Sequence, residues 1–216
     1  MPFTICPICG EKVCHPKYGF FCRHDYARRT TRAKVLKESL ALIEVLGDTD
    51  PVHCAIKKAF REAEIFQDAA ELLWLFDAIK DIGIVNVLEI GAWQGGTSIL
   101  WSEAFGGEVV SVDIEPKEPY AGNRDNLIIG DSHSKETLAK VYERRSSFDM
   151  VFIDGDHSLE SVTADYMLYA PFCRDGGVIV FHDIVWDKPT VGAFFDSLPG
   201  RKESFSTHLG IGVLFK

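Results

Sequence analysis

From residue 84 onward the chain alternates short apolar runs with stretches of helical period, and this alternation constrains the fold more than any other feature. Residues 84–90, 108–113, 126–130, 148–154 and 177–183 read as strands, with helices expected near 97–105, 134–145 and 159–172 between them. A helix near 190–197 and two terminal strands, near 203–207 and 211–215, complete the pattern. Strands alternating with helices predict an α/β, Rossmann-like doubly wound sheet, parallel in its centre and covered on both faces. Ligands of such sheets bind at the carboxyl ends of strands, near the point where strand order reverses. Asp113, Asp154 and Asp183 end three of the strands, and Asp131 follows the third by one residue.

Ahead of this body lies a helical connector, 33–82. Val35, Leu36, Leu40, Ile43 and Leu46 recur at helical spacing and Gly47 ends the run. Asp50-Pro51 supplies an N-cap and a first-turn proline, and apolar residues from Ile56 to Ile79 keep helical period to about residue 80. The connector is expected to cover the site, and its apolar face makes a homodimer an expectation. His53 and Cys54 read as bystanders.

Residues 1–32 form the third segment. Cys6-Pro7-Ile8-Cys9-Gly10, Cys14 and Cys22-Arg23-His24 have the spacing of a tetrahedral zinc site. Cys6, Cys9 and Cys22 are the expected ligands, with His24 or Cys14 as the fourth. The role expected is structural, since a segment this short buries too little apolar surface to fold alone. A redox-active Cys-x-x-Cys, or disulfides, are the alternatives, and a reducing compartment disfavours disulfides.

The compartment expected is the cytoplasm. No apolar run reaches the roughly 18 residues of a membrane span, and the N-terminus lacks the apolar stretch of a secretory signal. Seven basic residues against two acidic ones leave +5 on residues 1–34 and −14 on the rest of a chain whose net charge is −9. A body this acidic is a poor binder of nucleic acid. The basic stretch is expected to dock on the acidic body or to be solvated, with nucleic-acid contact as the alternative.

The chemistry concentrates in two places. The first is the turn Glu89-Ile90-Gly91-Ala92-Trp93-Gln94-Gly95-Gly96-Thr97-Ser98, where glycines let a ligand approach the backbone and the following helix N-terminus favours an anionic group. Gly-x-x-x-Gly-Gly departs from the Gly-x-Gly-x-x-Gly of dinucleotide sites. Asp113 ends the next strand, where a carboxylate takes ribose hydroxyls or serves the turn. The second is Asp154-Gly155-Asp156-His157 with His182-Asp183 on the neighbouring strand. Asp154 and Asp183 are expected to converge on an oxygen-rich site suited to Mg²⁺ or a similar hard dication, with His182 as a ligand or a support. The bland alternative makes these residues loop and helix caps, Asp156 capping the helix near 159.

VLEIGAWQGGTS, VVSVDIEP and IIGDSH resemble, in order, three motifs of the class I S-adenosylmethionine-dependent methyltransferases, over about residues 80–216. The resemblance implies that Gly91, Gly95 and Thr97 line the methionine end of the cofactor, with Glu89 beneath and Trp93 beside it. It implies Asp113 on the ribose and Asp131 with Ser132 at the adenine edge. FDMVFIDGDHSLESVTADYMLYAPFCRDGGVIVFHD resembles a narrower group, the metal-dependent O-methyltransferases of macrolide sugars and their cephalosporin-hydroxylase-like relatives. In that group's pattern Asp154 and Asp183 match metal ligands, His182 stands where an acid is usual, and His157 matches a proposed base. The function implied is cation-dependent O-methylation of a small-molecule or sugar hydroxyl. Two other readings stay open: an NAD-linked oxidoreductase, and a non-catalytic zinc-bearing adaptor with a methyltransferase-like body. Nitrogen methylation is disfavoured because no Asn-Pro-Pro-Tyr follows the fourth strand. Tyr120, Trp186 and Trp101 are the aromatic candidates for acceptor contact, with Trp101 read as core.

Overall fold

The computed structural model describes residues 31–216 and, before them, the backbone of three short stretches. Two of these, β1 (Thr4–Ile5) and β2 (Lys12–Val13), pair antiparallel. The third begins α1 (Arg23–Val45), so one helix runs through residue 32, where a segment boundary is expected. Cys6, Cys9, Cys14, Cys22 and the side chain of His24 lie outside the described residues.

The helical period expected to continue to residue 80 is divided between α2 (Pro51–Glu62) and α3 (Ala69–Ile79). Asp50 caps α2 as expected, accepting from the Val52 and His53 amides at 2.8 and 3.2 Å. Ala63 turns extended (φ −141°, ψ 159°), and Asp68, also extended, caps α3 by accepting from the Ala70 amide at 3.0 Å. The segment between, 63–68, is thereby freed to leave the helical layer. The Cys54 thiol only donates to the Asp48 carbonyl, in keeping with a bystander.

The body follows as β3 (Val87–Ile90), α4 (Gly96–Phe105), β4 (Val109–Asp113), β5 (Leu127–Ile129), α5 (Lys135–Arg144), β6 (Phe148–Ile153), α6 (Leu159–Tyr169), β7 (Cys173–His182), α7 (Ala193–Ser197), β8 (Arg201–Phe205) and β9 (Ile211–Phe215). Its sheet has seven strands in the order β5-β4-β3-β6-β7-β9-β8. β3 to β7 run parallel, while β9 runs antiparallel to both β7 and β8. Strands buried on both faces read as continuous apolar runs rather than alternation. β6 shows why: Met150 and Phe152 pack into one core with Leu72 and Trp101, while Val151 and Ile153 pack into the other with Tyr169 and Phe181. Trp101 is fully buried in the first of these, as expected of a core residue.

Strand order reverses at β3, whose neighbours are β4 on one side and β6 on the other. The crevice beyond Ile90 and Ile153 is therefore where this topology places a ligand. Among the described residues no helix is long and apolar enough to cross a membrane.

Candidate active site

The turn after β3 is bent by three residues of positive φ: Gly91 (91°), Trp93 (47°) and Gly95 (82°). The first glycine is required by β6. A Cβ on Gly91 would lie 2.1 Å from the Asp154 carbonyl oxygen. The two strand ends that carry the chemistry thus touch through a residue with no side chain. Gly95 has a different reason, since a Cβ there would meet the Gly122 amide at 2.5 Å and the Tyr120 ring at 2.9 Å. It makes room for the Tyr120 loop and does not line the cavity.

Asp113 holds the turn from β4. One carboxylate oxygen accepts from the Ala92 and Trp93 amides at 2.9 and 2.7 Å, and the other accepts from Glu115 at 2.8 Å. Glu89 lies fully buried beneath, accepting from the Ser98 and Ser111 hydroxyls at 2.5 and 2.7 Å. Burial raises its pKa, against the pull of those hydroxyls. Tyr120 packs under the loop with its hydroxyl 3.1 Å from Ser98, and burial with the nearby Glu89 pushes its pKa up to about 12. Ser98→Ala removes the shortest of these bonds to a buried carboxylate. It is expected to lower stability by about 1–2 kcal/mol, read as a fall in Tm.

A cavity of about 480 Å³ opens above this turn. Gly91, Trp93, Thr97, Asp113, Asp131 and Ser132 line one end; Asp154, His157, His182 and Asp183 line the other. Asp131 accepts from the His133 amide at 2.9 Å, and the Ser132 hydroxyl donates to Asp165 at 2.7 Å. Asp165, absent from the sequence reading, is a buried cavity residue whose pKa is raised by burial. Glu64, Phe66 and Gln67 of the connector, with Arg32 just ahead of it, also line the cavity. This is the expected covering, and it is made largely by the 63–68 segment. Phe66 packs 5.9 Å from Trp93, and the Arg32 guanidinium lies 4.5 Å over Phe66 and 5.8 Å from the Trp186 ring.

The acid and histidine residues converge. Asp183 takes a positive φ of 60°, which turns the chain sharply as it leaves β7. Its Oδ2 stands 3.2 Å from His157 Nε2 and 3.5 Å from His182 Nδ1. Asp154 Oδ1 stands 3.3 Å from His182 Nδ1 and 3.7 Å from His157 Nε2, while its Oδ2 accepts from Gln67 Nε2 at 2.6 Å. On its far side His157 Nδ1 meets Asp187 Oδ2 at 2.6 Å. Asp156 stays out of this cluster. It accepts from Ser158 at 2.6 Å, and Ser158, rather than Asp156, caps α6.

Burial alone pushes both histidines down. The hydrogen-bonded carboxylates of Asp154 and Asp187, with the charge of Asp183, outweigh it and hold His157 at about 10. Asp183 and Asp154 raise His182 well above its ordinary value in the same way. Burial pushes Asp154 up, but the two imidazoles outweigh it and hold the carboxyl well below the usual range.

The cluster fits a dication on its own chemistry. Two donor sets, Asp154 with His182 and Asp183, and His157 with Asp183 and Asp187, each bring one donor atom per residue within 4.8 Å of the others. Three carboxylates this close call for positive charge, which both imidazoles supply here by holding protons. The turn fits an adenosyl sulfonium ligand by the polar edge that Asp113 and Asp131 give the cavity beside Gly91.

Residues 88–184 match a family model described as a methyltransferase domain. This segment is thus similar to a methyltransferase domain. Demethylmacrocin O-methyltransferase of Streptomyces fradiae is 33% identical over 135 residues, covering 59% of this chain and 33% of its own. The chain thus spans about a third of the length of that relative. MycE methyltransferase from the mycinamycin biosynthetic pathway, solved with Mg and SAH, shares the fold at a TM-score of 0.59. Identity there is 21%, over 77% of this chain and 55% of that one. An O-methyltransferase from Bacillus cereus, solved with SAH, matches over 87% of this chain and 99% of its own, at a TM-score of 0.57 and 18% identity. The seven-stranded sheet with its flanking helices thus has the class I methyltransferase fold.

The aromatic candidates separate. Trp186 lies beside the cavity-lining Arg32, Tyr120 supports the turn, and Trp101 is core. Gln67, Asp165, Asp187 and Arg32 are among the site residues that sequence reasoning missed.

Proposed function

We propose that the chain transfers the methyl group of S-adenosylmethionine to a hydroxyl oxygen of a small molecule or sugar, with a divalent cation at Asp154, Asp183 and His182. One observation carries this reading. The Asp154–His157–Asp183 cluster opens into the same cavity as the glycine turn, so donor and acceptor ends share one enclosed space. MycE was also solved with Mg, SAH and mycinamycin VI, which supports a small-molecule acceptor.

A bound dication supplies Lewis acidity, lowering the pKa of a hydroxyl beside it. The remaining work falls to the chain. His157 Nδ1 is held by Asp187, which leaves Nε2 on the cavity side among Asp154 and Asp183. Once the negative charge of those carboxylates is offset, Nε2 is free to accept the hydroxyl proton. The hydroxyl oxygen forms its bond to the methyl carbon as the carbon–sulfur bond breaks, with the proton left on Nε2. No covalent enzyme intermediate is needed, so orientation carries much of the rate. Gln67 fixes the Asp154 carboxylate from the connector. Cys6, Cys9 and Cys22, with His24 or Cys14, are proposed to hold a structural zinc, supported by ligand type and spacing.

Arg32 and Phe66 form an acceptor-side wall of the cavity, with the Trp186 ring beside the guanidinium. Arg32→Ala is therefore expected to raise the acceptor KM about two- to fivefold, an energy typical of an exposed cation on an aromatic face, with the KM for S-adenosylmethionine unchanged. Steady-state kinetics with each substrate varied in turn checks this.

Calorimetry with S-adenosylmethionine and with NAD tests the function itself. Binding of the sulfonium and none of NAD is expected; the reverse would overturn the reading in favour of hydride transfer. Methyl transfer to macrolide sugar hydroxyls and to catechols, with and without EDTA, then assigns acceptor class and cation dependence.

A further inference from the structure

His182 is one of the buried residues of the site, 2% exposed, and its two ring nitrogens face different surroundings. Nδ1 faces Asp154 and Asp183. Nε2 faces the other way, toward Glu71 Oε2 at 3.6 Å across the interface with α3. Among the described residues, both of those atoms are buried without a hydrogen-bond partner. Two buried polar atoms with no other partner, standing just beyond hydrogen-bond reach, pair when the ring moves slightly toward the acid.

Glu71 is itself fully buried and fixed. Its Oε1 accepts from the Leu209 and Gly210 amides at 3.2 and 2.7 Å, which ties α3 to the loop leading into β9. With one oxygen committed to two amides, the other is aimed at His182. A carboxylate only accepts. The hydrogen of a neutral His182 therefore belongs on Nε2, and the lone pair belongs on Nδ1, facing the carboxylates. This is the arrangement by which an outer carboxylate orients a metal-binding imidazole.

We infer that His182 is a nitrogen ligand through Nδ1, that Glu71 is its positioning residue, and that the centre is built for a transition dication in preference to Mg²⁺. The inference deepens the dication reading proposed above and rests on it. Imidazole donors suit the borderline metals of the first transition row, whereas all-oxygen sets suit Mg²⁺. Two carboxylates and one imidazole place this site on the borderline side.

The test uses the full chain stripped of metal, with Mn²⁺ and Mg²⁺ as probes. Mn²⁺ is a poor partner for the cysteine thiolates, which favour softer metals. Pulsed electron paramagnetic resonance of the bound Mn²⁺ is expected to show directly coupled ¹⁴N, and competition calorimetry is expected to show Mn²⁺ displacing Mg²⁺. In His182→Asp the nitrogen coupling is expected to vanish and the Mn²⁺-over-Mg²⁺ ratio to fall about tenfold or more.

Glu71→Gln isolates the positioning role. Its amide oxygen keeps the Leu209 and Gly210 amides, so its NH₂ faces Nε2 and makes that nitrogen the acceptor. The hydrogen moves to Nδ1, the wrong tautomer for ligation. Mn²⁺ affinity is then expected to fall about 10- to 100-fold with loss of the ¹⁴N coupling, while circular dichroism and Tm stay near wild type. A purely structural Glu71 would move stability and leave the coupling intact. Mn²⁺ bound to wild type without ¹⁴N coupling overturns this inference alone. Failure of both cations to bind overturns the dication reading as well.

Discussion

Asp154→Asn is expected to lower methyl transfer by at least about a thousandfold, roughly 4 kcal/mol of barrier. The change is nearly isosteric, so the fold should survive it. The amide oxygen can still accept from Gln67, whose donor lies 2.6 Å from the present Oδ2. The other position fails. An NH₂ group replaces the oxygen that stands 3.3 Å from His182 Nδ1 and 3.7 Å from His157 Nε2. It offers a donor where the site needs an acceptor, and it removes one charge from a cluster suited to a cation. The glycine turn is untouched apart from the carbonyl of residue 154, so S-adenosylmethionine binding by calorimetry should remain within a few-fold of wild type. Dication affinity should collapse in parallel with turnover. Full activity in the variant, or wild-type activity that persists in excess EDTA, would sink the cation-dependent mechanism while leaving the methyltransferase domain assignment in place.

Most of the sheet was legible because its strands are buried on both faces. Val87–Ile90 and Phe148–Ile153 are largely apolar runs with glycine or acid at the exit, too short for a buried helix. The acids at strand ends were legible for the same reason: topology alone carries Asp113, Asp154 and Asp183 to one edge. Tertiary contacts were not. Gln67 reaches Asp154 across 87 residues, and Glu71 reaches Gly210 across 139. Nothing local marks either as a site residue. The break between α2 and α3 did leave a signal. Asp68-Ala69-Ala70-Glu71 has capping-box spacing, but the helical period of Phe60, Ala63 and Phe66 runs over it. In the structure Glu71 does not close that box; it turns inward to the Leu209 and Gly210 amides. Gly95 shows a different case, a glycine conspicuous in sequence whose missing side chain leaves room for the Gly122 amide and the Tyr120 ring.

The metal-free protein is expected to lose stability as pH rises from about 6.5 to about 10, the reverse of ordinary carboxylate-driven behaviour. His157 titrates at about 10 in the folded chain, against roughly 6.5 when unfolded. A folded-state pKa above the unfolded value stabilises below the unfolded pKa, and that contribution is lost as pH climbs through the folded one. For one imidazole raised this far the loss is on the order of 3–5 kcal/mol. His182, also raised, acts in the same direction. Asp154, held low, acts at the acid end and does not enter this window. The measurement is thermal unfolding of the EDTA-treated protein at intervals from pH 6 to 10, beside His157→Gln. The wild type should fall steeply and the variant should fall less, because a glutamine keeps the hydrogen bond to Asp187 but has no proton to lose. Equal slopes would show that the imidazolium is not what holds the three carboxylates together. A dication competes with the same protons, so the Tm gain on adding it should grow over this interval. That growth links the two halves of the mechanism: the charge that offsets Asp154, Asp183 and Asp187 is the charge that releases His157 to act as a base.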